Sequence, residues 1–155
     1  MKPPGLIYGI GNESRGDDAL GPMLIGRLAS EIDSRQIELV EAYQLQVEDA
    51  LDLSGRRWVI FVDAAANLSA PYAFRPLAAS ADRTPFSHAL SPQALLAVHE
   101  RISGPPPPAW VLAIRGEHFE LGTPLSPTAQ AALESAHRFL STMLRSRLGI
   151  SLVPG

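Results

Sequence analysis

The segment WVIFVD, Trp58 to Asp63, constrains the fold more than any other stretch of this chain. Its first five residues are apolar without interruption, so a strand built from them has no face to offer water. Such a strand belongs inside a parallel sheet covered by helices on both sides. Leu6 to Ile10 (LIYGI) and Trp110 to Ile114 (WVLAI) have the same character and are read as core strands. Ile37 to Glu41 is predicted as a further strand, and Tyr72 to Leu77 as one at a sheet edge, because Pro71 and Pro76 flank it. Between the strands the apolar residues change period. Leu20, Leu24, Leu28 and Ile32 recur every fourth residue and make one apolar helix face, with Pro22 tolerable in the first turn. Val47 to Leu53 is predicted as a short helix, and Pro92 to Ile102 as an amphipathic one, with Ser91 as N-cap and Gly104 at its end. Ser126-Pro127 opens a last long helix, roughly to Leu148. Pro105 to Pro108 reads as a stiff, extended connector, and segment 149–155 as a frayed end. This alternation predicts an α/β three-layer sandwich: a twisted, mostly parallel sheet flanked by helices on both faces, as one domain over residues 1–155.

Composition narrows the function. A formal net charge of −3 gives no electrostatic footprint for nucleic acid or an anionic membrane. No apolar run approaches the roughly 18 residues that span a bilayer. The opening MKPPGLIYGIGN reads as a first strand rather than a secretion signal. The chain has no cysteine, which excludes thiolate catalysis, disulfides and thiolate-held metals, and fits a cytoplasmic location.

Chemistry is expected outside the carboxyl ends of the strands, where ligands bind in sheets of this type. The adjacent acids Asp17 and Asp18 follow the first strand, Asp63 closes WVIFVD, and His88 lies in the loop TPFSHALSP before a helix. If the three loops converge, two carboxylates and an imidazole meet, a donor set suited to Ni²⁺, Zn²⁺ or Mn²⁺. Each residue also has an ordinary reading. Asp17 or Asp18 can cap the following helix, Asp63 can form a turn, and His88 can be solvated. His118, on the loop after the last core strand, could reach the same crevice, whereas His99 and His137 sit within predicted helices as surface or packing residues. A dinucleotide site is disfavoured. Gly9, Gly11 and Gly16 do not have the G-x-G-x-x-G spacing, and two acids at the helix start would repel a pyrophosphate even with Glu41 positioned for a ribose. There is no G-x-S-x-G elbow around Ser14 or Ser87, and no H-E-x-x-H helix.

Four motifs in order carry a resemblance. GIGNESRGDDALGP resembles the N-terminal signature of the hydrogenase maturation proteases, G-x-G-N-x-x-x-x-D-[DE]-x-x-G after a strand. WVIFVDAA is similar to that family's second acidic strand end, SHALSPQALL to its histidine loop, and WVLAIRGEHFELGTPLSPTAQAAL to its C-terminal strand, loop and helix. Together they span about residues 5 to 145. The resemblance implies a twisted sheet of about five strands between helices. It also implies an endopeptidase that removes the C-terminal extension of a nickel–iron hydrogenase large-subunit precursor after nickel insertion. The nickel is carried by the precursor and read as the recognition element. Residue by residue, the implied metal-contacting set is Asp18, Asp63 and His88, with Asp18 or Asp63 as general base, and Asp17 as a cap or supporting residue. The Gln44-Leu45-x-x-Glu48 pattern and the FELGTPLSP ending are similar to the branch serving bidirectional, NAD-linked hydrogenases. A non-catalytic chaperone that binds nickel or the large subunit would use the same three residues.

Overall fold

The computed structural model describes residues 2–80 and 90–146. Five strands form one sheet: β1 (Gly5–Ile10), β2 (Ile37–Ala42), β3 (Trp58–Ala65), β4 (Tyr72–Leu77) and β5 (Ala109–Arg115). Their order is β2-β1-β3-β5-β4. All neighbours are parallel except β4, which runs antiparallel to β5 at the edge. Pro76 lies within β4, opposite Trp110, where an edge strand can do without one ladder donor. The α/β sandwich expected from the apolar runs is the fold observed.

Four helices cover the sheet: α1 (Leu20–Leu28), α2 (Ala50–Leu53), α3 (Pro92–Ser103) and α4 (Pro127–Ser146). One buried cluster joins Leu20, Leu24 and Leu28 of α1 to Leu133, Leu140 and Leu144 of α4 across Ile7, Ile60 and Leu112. The other joins Leu53 of α2 to Leu95 of α3 across Leu6, Tyr8 and Phe61. Tyr8 and Phe61 stack with ring centres 5.6 Å apart. Each fully buried leucine of these clusters contributes about 2 kcal/mol of transfer free energy, which is why both sheet faces must be apolar. No helix among the described residues is long and apolar enough to cross a membrane.

Glycines set how closely α1 approaches the sheet. A Cβ on Gly9 would strike Ile25 and the Gly21 backbone, and one on Gly21 would lie 2.7 Å from the Ile10 nitrogen and 2.8 Å from the Val62 oxygen. Helix and strands meet there with backbone against backbone. The expected N-cap of α3 forms: the Ser91 hydroxyl accepts from the Ala94 N–H at 3.0 Å, and Gly104 ends the helix with φ +87°.

Three elements differ from the sequence reading by more than a residue. Helix α1 stops at Leu28, and Ile32 reaches the same core cluster from the turn that follows. Strand β3 does not end at Asp63 but continues to Ala65, because Asp63, Ala64 and Ala65 keep pairing with Ala113, Ile114 and Arg115 of β5. The short-helix segment also divides, into a 3-10 turn at Val47–Asp49 and α2. The four-proline connector leads into β5 at the amino end of the sheet, with the Pro108 carbonyl accepting from the Val59 N–H at 3.0 Å. Residues 147–148, expected in the last helix, and 149–155, expected to fray, lie outside the described residues.

Candidate functional site

From β1 the chain passes through α1 to β2 on one side, and from β3 it goes on to β4 and β5 on the other, so it parts outside the carboxyl ends of these two strands. A cleft of about 400 Å³ opens there. Its walls come from the end of β1 (Ile10 to Asn12, Arg15, Asp18), the loop after β2 (Tyr43 to Leu45), Asp63 of β3, and Leu90 to Pro92 at the start of α3. Leu45 and Leu90 are joined by an isolated antiparallel bridge, which ties two of these walls together.

Asp63 enters the cleft because the two central strands differ in length. Gly9–Val62 is the last pair between β1 and β3, while β3 runs on beside β5. From Asp63 onward the β1-facing edge of β3 has no strand partner among the described residues. Its carboxylate accepts the Ala64 N–H at 2.9 Å. Burial, and after it the neighbouring charge of Asp18, push the Asp63 carboxyl up to about 7, against the weaker opposing effect of the Ala64 N–H. Near neutral pH this group can both take up and release a proton.

Asp18 comes from the other side, on the 3-10 turn Gly16–Ala19 that precedes α1. Gly11 makes this possible. It has φ +150°, and a Cβ there would collide with the Asp18 carbonyl. The chain therefore folds back so that the Asn12 N–H donates to the Asp18 carboxylate at 2.7 Å. In a nucleotide-binding loop that amide would face phosphate; here a carboxylate takes it. The Asn12 side chain accepts from the Ser14 N–H at 2.9 Å and donates to the Tyr43 hydroxyl at 3.2 Å.

Asp17 behaves differently from what its position suggested. Neither the 3-10 turn nor α1 has a side-chain N-cap, so neither acid caps the helix it precedes. The Asp17 side chain is fully buried and points to the loop after β5. Its Oδ2 accepts from the Glu117 N–H at 2.7 Å, the His118 N–H at 3.0 Å and the Ser126 hydroxyl at 2.7 Å, and its Oδ1 from the Ser126 N–H at 2.8 Å. Burial alone would raise this carboxyl, but the hydrogen bonds outweigh it and hold the group below its ordinary value.

The structure thus brings Asp18 and Asp63 to one cleft. His88 lies outside the described residues; Leu90, two positions on in the sequence, lines the cleft wall. His118 is not among the lining residues: its side chain is exposed, and its backbone serves Asp17. His99 is a packing residue, with Nδ1 donating to the Gly104 carbonyl and Nε2 facing the Ser54 hydroxyl, both at 3.0 Å. His137 meets Glu31 at 2.9 Å on the α4 side. Among the described residues no three His, Cys, Asp or Glu side chains lie close enough to hold a metal ion. Asn12, Arg15 and Tyr43 line the cleft without having been singled out in the sequence. The one signal for them was position, since each follows the carboxyl end of a strand.

The same fold is found in solved hydrogenase maturation endopeptidases, over nearly the full length of the chain. The hydrogenase maturating endopeptidase HybD from Escherichia coli matches with a TM-score of 0.76 and 21% identity, covering 97% of this chain and 96% of that one. An endopeptidase from Escherichia coli studied in solution matches with a TM-score of 0.73 and 22% identity, over 97% and 96%. The NiFe hydrogenase maturation protease HycI from Thermococcus kodakarensis KOD1 matches with a TM-score of 0.70 and 19% identity, over 92% of each chain. No protein-family model and no curated protein matches the chain. At these identities the likeness establishes a shared fold. Chemistry has to be argued from the cleft.

Proposed function

We propose that this chain is a hydrogenase maturation endopeptidase, which removes the C-terminal extension of a nickel–iron hydrogenase large-subunit precursor and reads the precursor's nickel as the mark of readiness. The observation that carries this reading is the meeting of Asp18 and Asp63 in one cleft beyond β1 and β3, on a fold shared end to end with such endopeptidases. Partial burial, and after it a neighbouring charge, leave Asp63 poorly satisfied as an anion, a state that an incoming cation relieves. Carboxylates, together with His88, two positions before the cleft-lining Leu90 in the sequence, can complete open positions on a nickel ion already held by the precursor. A thiolate would compete for that ion, and the chain has none.

In this reading Asp18, Asp63 and His88 recognise the cargo rather than store a metal. Of the two acids Asp63 is the better general base for activating water, because a group that titrates near neutral pH can accept a proton and return it. Gln44 and Leu45 line the same cleft and belong to the segment similar to the branch serving bidirectional, NAD-linked hydrogenases, so they are assigned to precursor contact. A cytoplasmic setting and a single catalytic domain are part of the same proposal.

Intact-mass measurement after incubation with nickel-loaded precursor tests it. The wild type is expected to shorten the precursor, while Asp18→Ala, Asp63→Ala and His88→Ala each stay folded and lose at least about 100-fold in rate. Normal processing by all three variants would overturn the site. A precursor bound but left at full length by the wild type would make the chain a binding chaperone instead.

A further inference from the structure

Asp17 is the most completely hydrogen-bonded acid at this end of the sheet, and recognition of a metal gives it no task. Besides the four bonds to its carboxylate, its own N–H donates to the His118 carbonyl at 2.7 Å. Three residues back, the Ser14 carbonyl accepts from the Gly122 N–H at 2.8 Å. The two loops also leave each other no room. Gly16 has φ +54°, and a Cβ there would enter the His118 carbonyl and the Thr123 hydroxyl. A Cβ on Gly116 would lie 2.9 Å from the Asp17 Cβ and 2.8 Å from the Phe119 ring. Ser126 belongs to both sides of the junction: its hydroxyl donates to Asp17 and accepts the Ala129 N–H at 3.1 Å, capping α4.

Asp17 and Asp18 are neighbours on a 3-10 turn, where successive side chains diverge by about 120°. Fixing one inward therefore fixes the direction of the other. Among the described residues Asp18 itself is held by a single donor, the Asn12 N–H. We propose that Asp17 is a positioning residue: by clamping residues 14–17 onto loop 116–126 it sets where the Asp18 carboxylate stands in the cleft. The inference rests on the peptidase reading for its link to turnover, and on geometry alone for its link to Asp18.

Asp17→Asn keeps the volume of the side chain. Its oxygen can still face the three donors of Oδ2, but its NH₂ then opposes the Ser126 N–H. Two readouts follow. Amide exchange, by NMR, compares the Asn12 N–H, which reports the Asp18 contact, with the Phe61 N–H in the centre of β3. Kinetics on the nickel-loaded precursor separate kcat from KM. We expect the Asn12 amide to exchange about tenfold faster relative to Phe61, and kcat to fall about 100-fold, as misplacing by an ångström a group that positions the precursor would produce. Ser126→Ala removes one of the four donors and should move both readouts the same way but less; it supplies the test if Asp17→Asn does not fold. Leu133→Ala, a core change that destabilises without touching the clamp, should not raise the Asn12-to-Phe61 ratio, because it speeds the core amide at least as much as the loop one. Asn12 exchange that stays in step with Phe61 in the Asp17 and Ser126 variants overturns the inference, as does an unchanged kcat. A wild type that cleaves nothing while Asn12 still responds refutes the peptidase reading and supports the clamp on Asp18.

Discussion

Asp17 and Asp63 stand at the same end of the sheet, each drawn away from bulk water, in opposite surroundings. Asp17 is wholly buried and receives four hydrogen bonds, two of them from Ser126. Asp63 is partly buried, receives one N–H among the described residues, from its own neighbour, and faces a second acid. The first is stabilised as an anion and the second is destabilised as one. The difference separates framework from working surface: a carboxylate with a complete donor set holds two loops together, and one left wanting is available to a cation or a proton.

The contrast is open to attack, most severely at Asp17. Replacing it by Ala leaves four donors, the two of Ser126 buried, without their acceptor and should cost about 3–5 kcal/mol in a urea unfolding experiment. A loss below about 1 kcal/mol would remove the framework role. A smaller effect of opposite sign is expected at Asp63. Its folded value of about 7 lies above the ordinary 3.8, so the folded state binds the extra proton between these values. This group therefore makes stability fall as pH rises from about 4 to 7, with the full penalty present above 7. Asp63→Asn should be more stable than the wild type at pH 8, on the order of 1 kcal/mol, and no more stable below pH 4, as thermal melts across pH would show. For Asp17 the sign is reversed: its depressed value adds stability above the ordinary carboxylate range, which is lost as pH falls through that range and below. The smallest effect belongs to Arg15, an exposed residue of the cleft wall whose Nε donates to the Phe119 carbonyl at a long 3.4 Å. Arg15→Ala should change the unfolding free energy by no more than about 0.5 kcal/mol. A larger loss would extend the framework into the cleft and blur the division.

Much of the architecture was legible because the apolar runs are long and local. WVIFV and WVLAI leave a strand no polar face, and Ser91-Pro92 marks a helix start within three residues. Boundaries governed by pairing were less legible. The polar Asp63 ends the apolar run, yet β3 continues because β5 still offers a partner, and partnership leaves no mark on the strand's own residues. In the same way Ile32 keeps the four-residue spacing after the helix has ended, since a turn can deliver a side chain to the core as well as a helix can. Asp17 was the least legible. Local preference makes an acid before a helix a cap, whereas the donors to its carboxylate lie in a loop about one hundred residues further along, visible only once the chain is folded.

The unequal lengths of β1 and β3 also bear on how such a cleft could change. One acid is built into a strand in mid-sheet and cannot shift without disturbing the pairs on β5. The other sits on a 3-10 turn reached through the loop that begins where β1 stops. The gap between them is thus like a caliper with one fixed jaw, and a residue added to or taken from that loop ahead of the clamped residues 14–17 would reset its opening while the sheet stayed as it is.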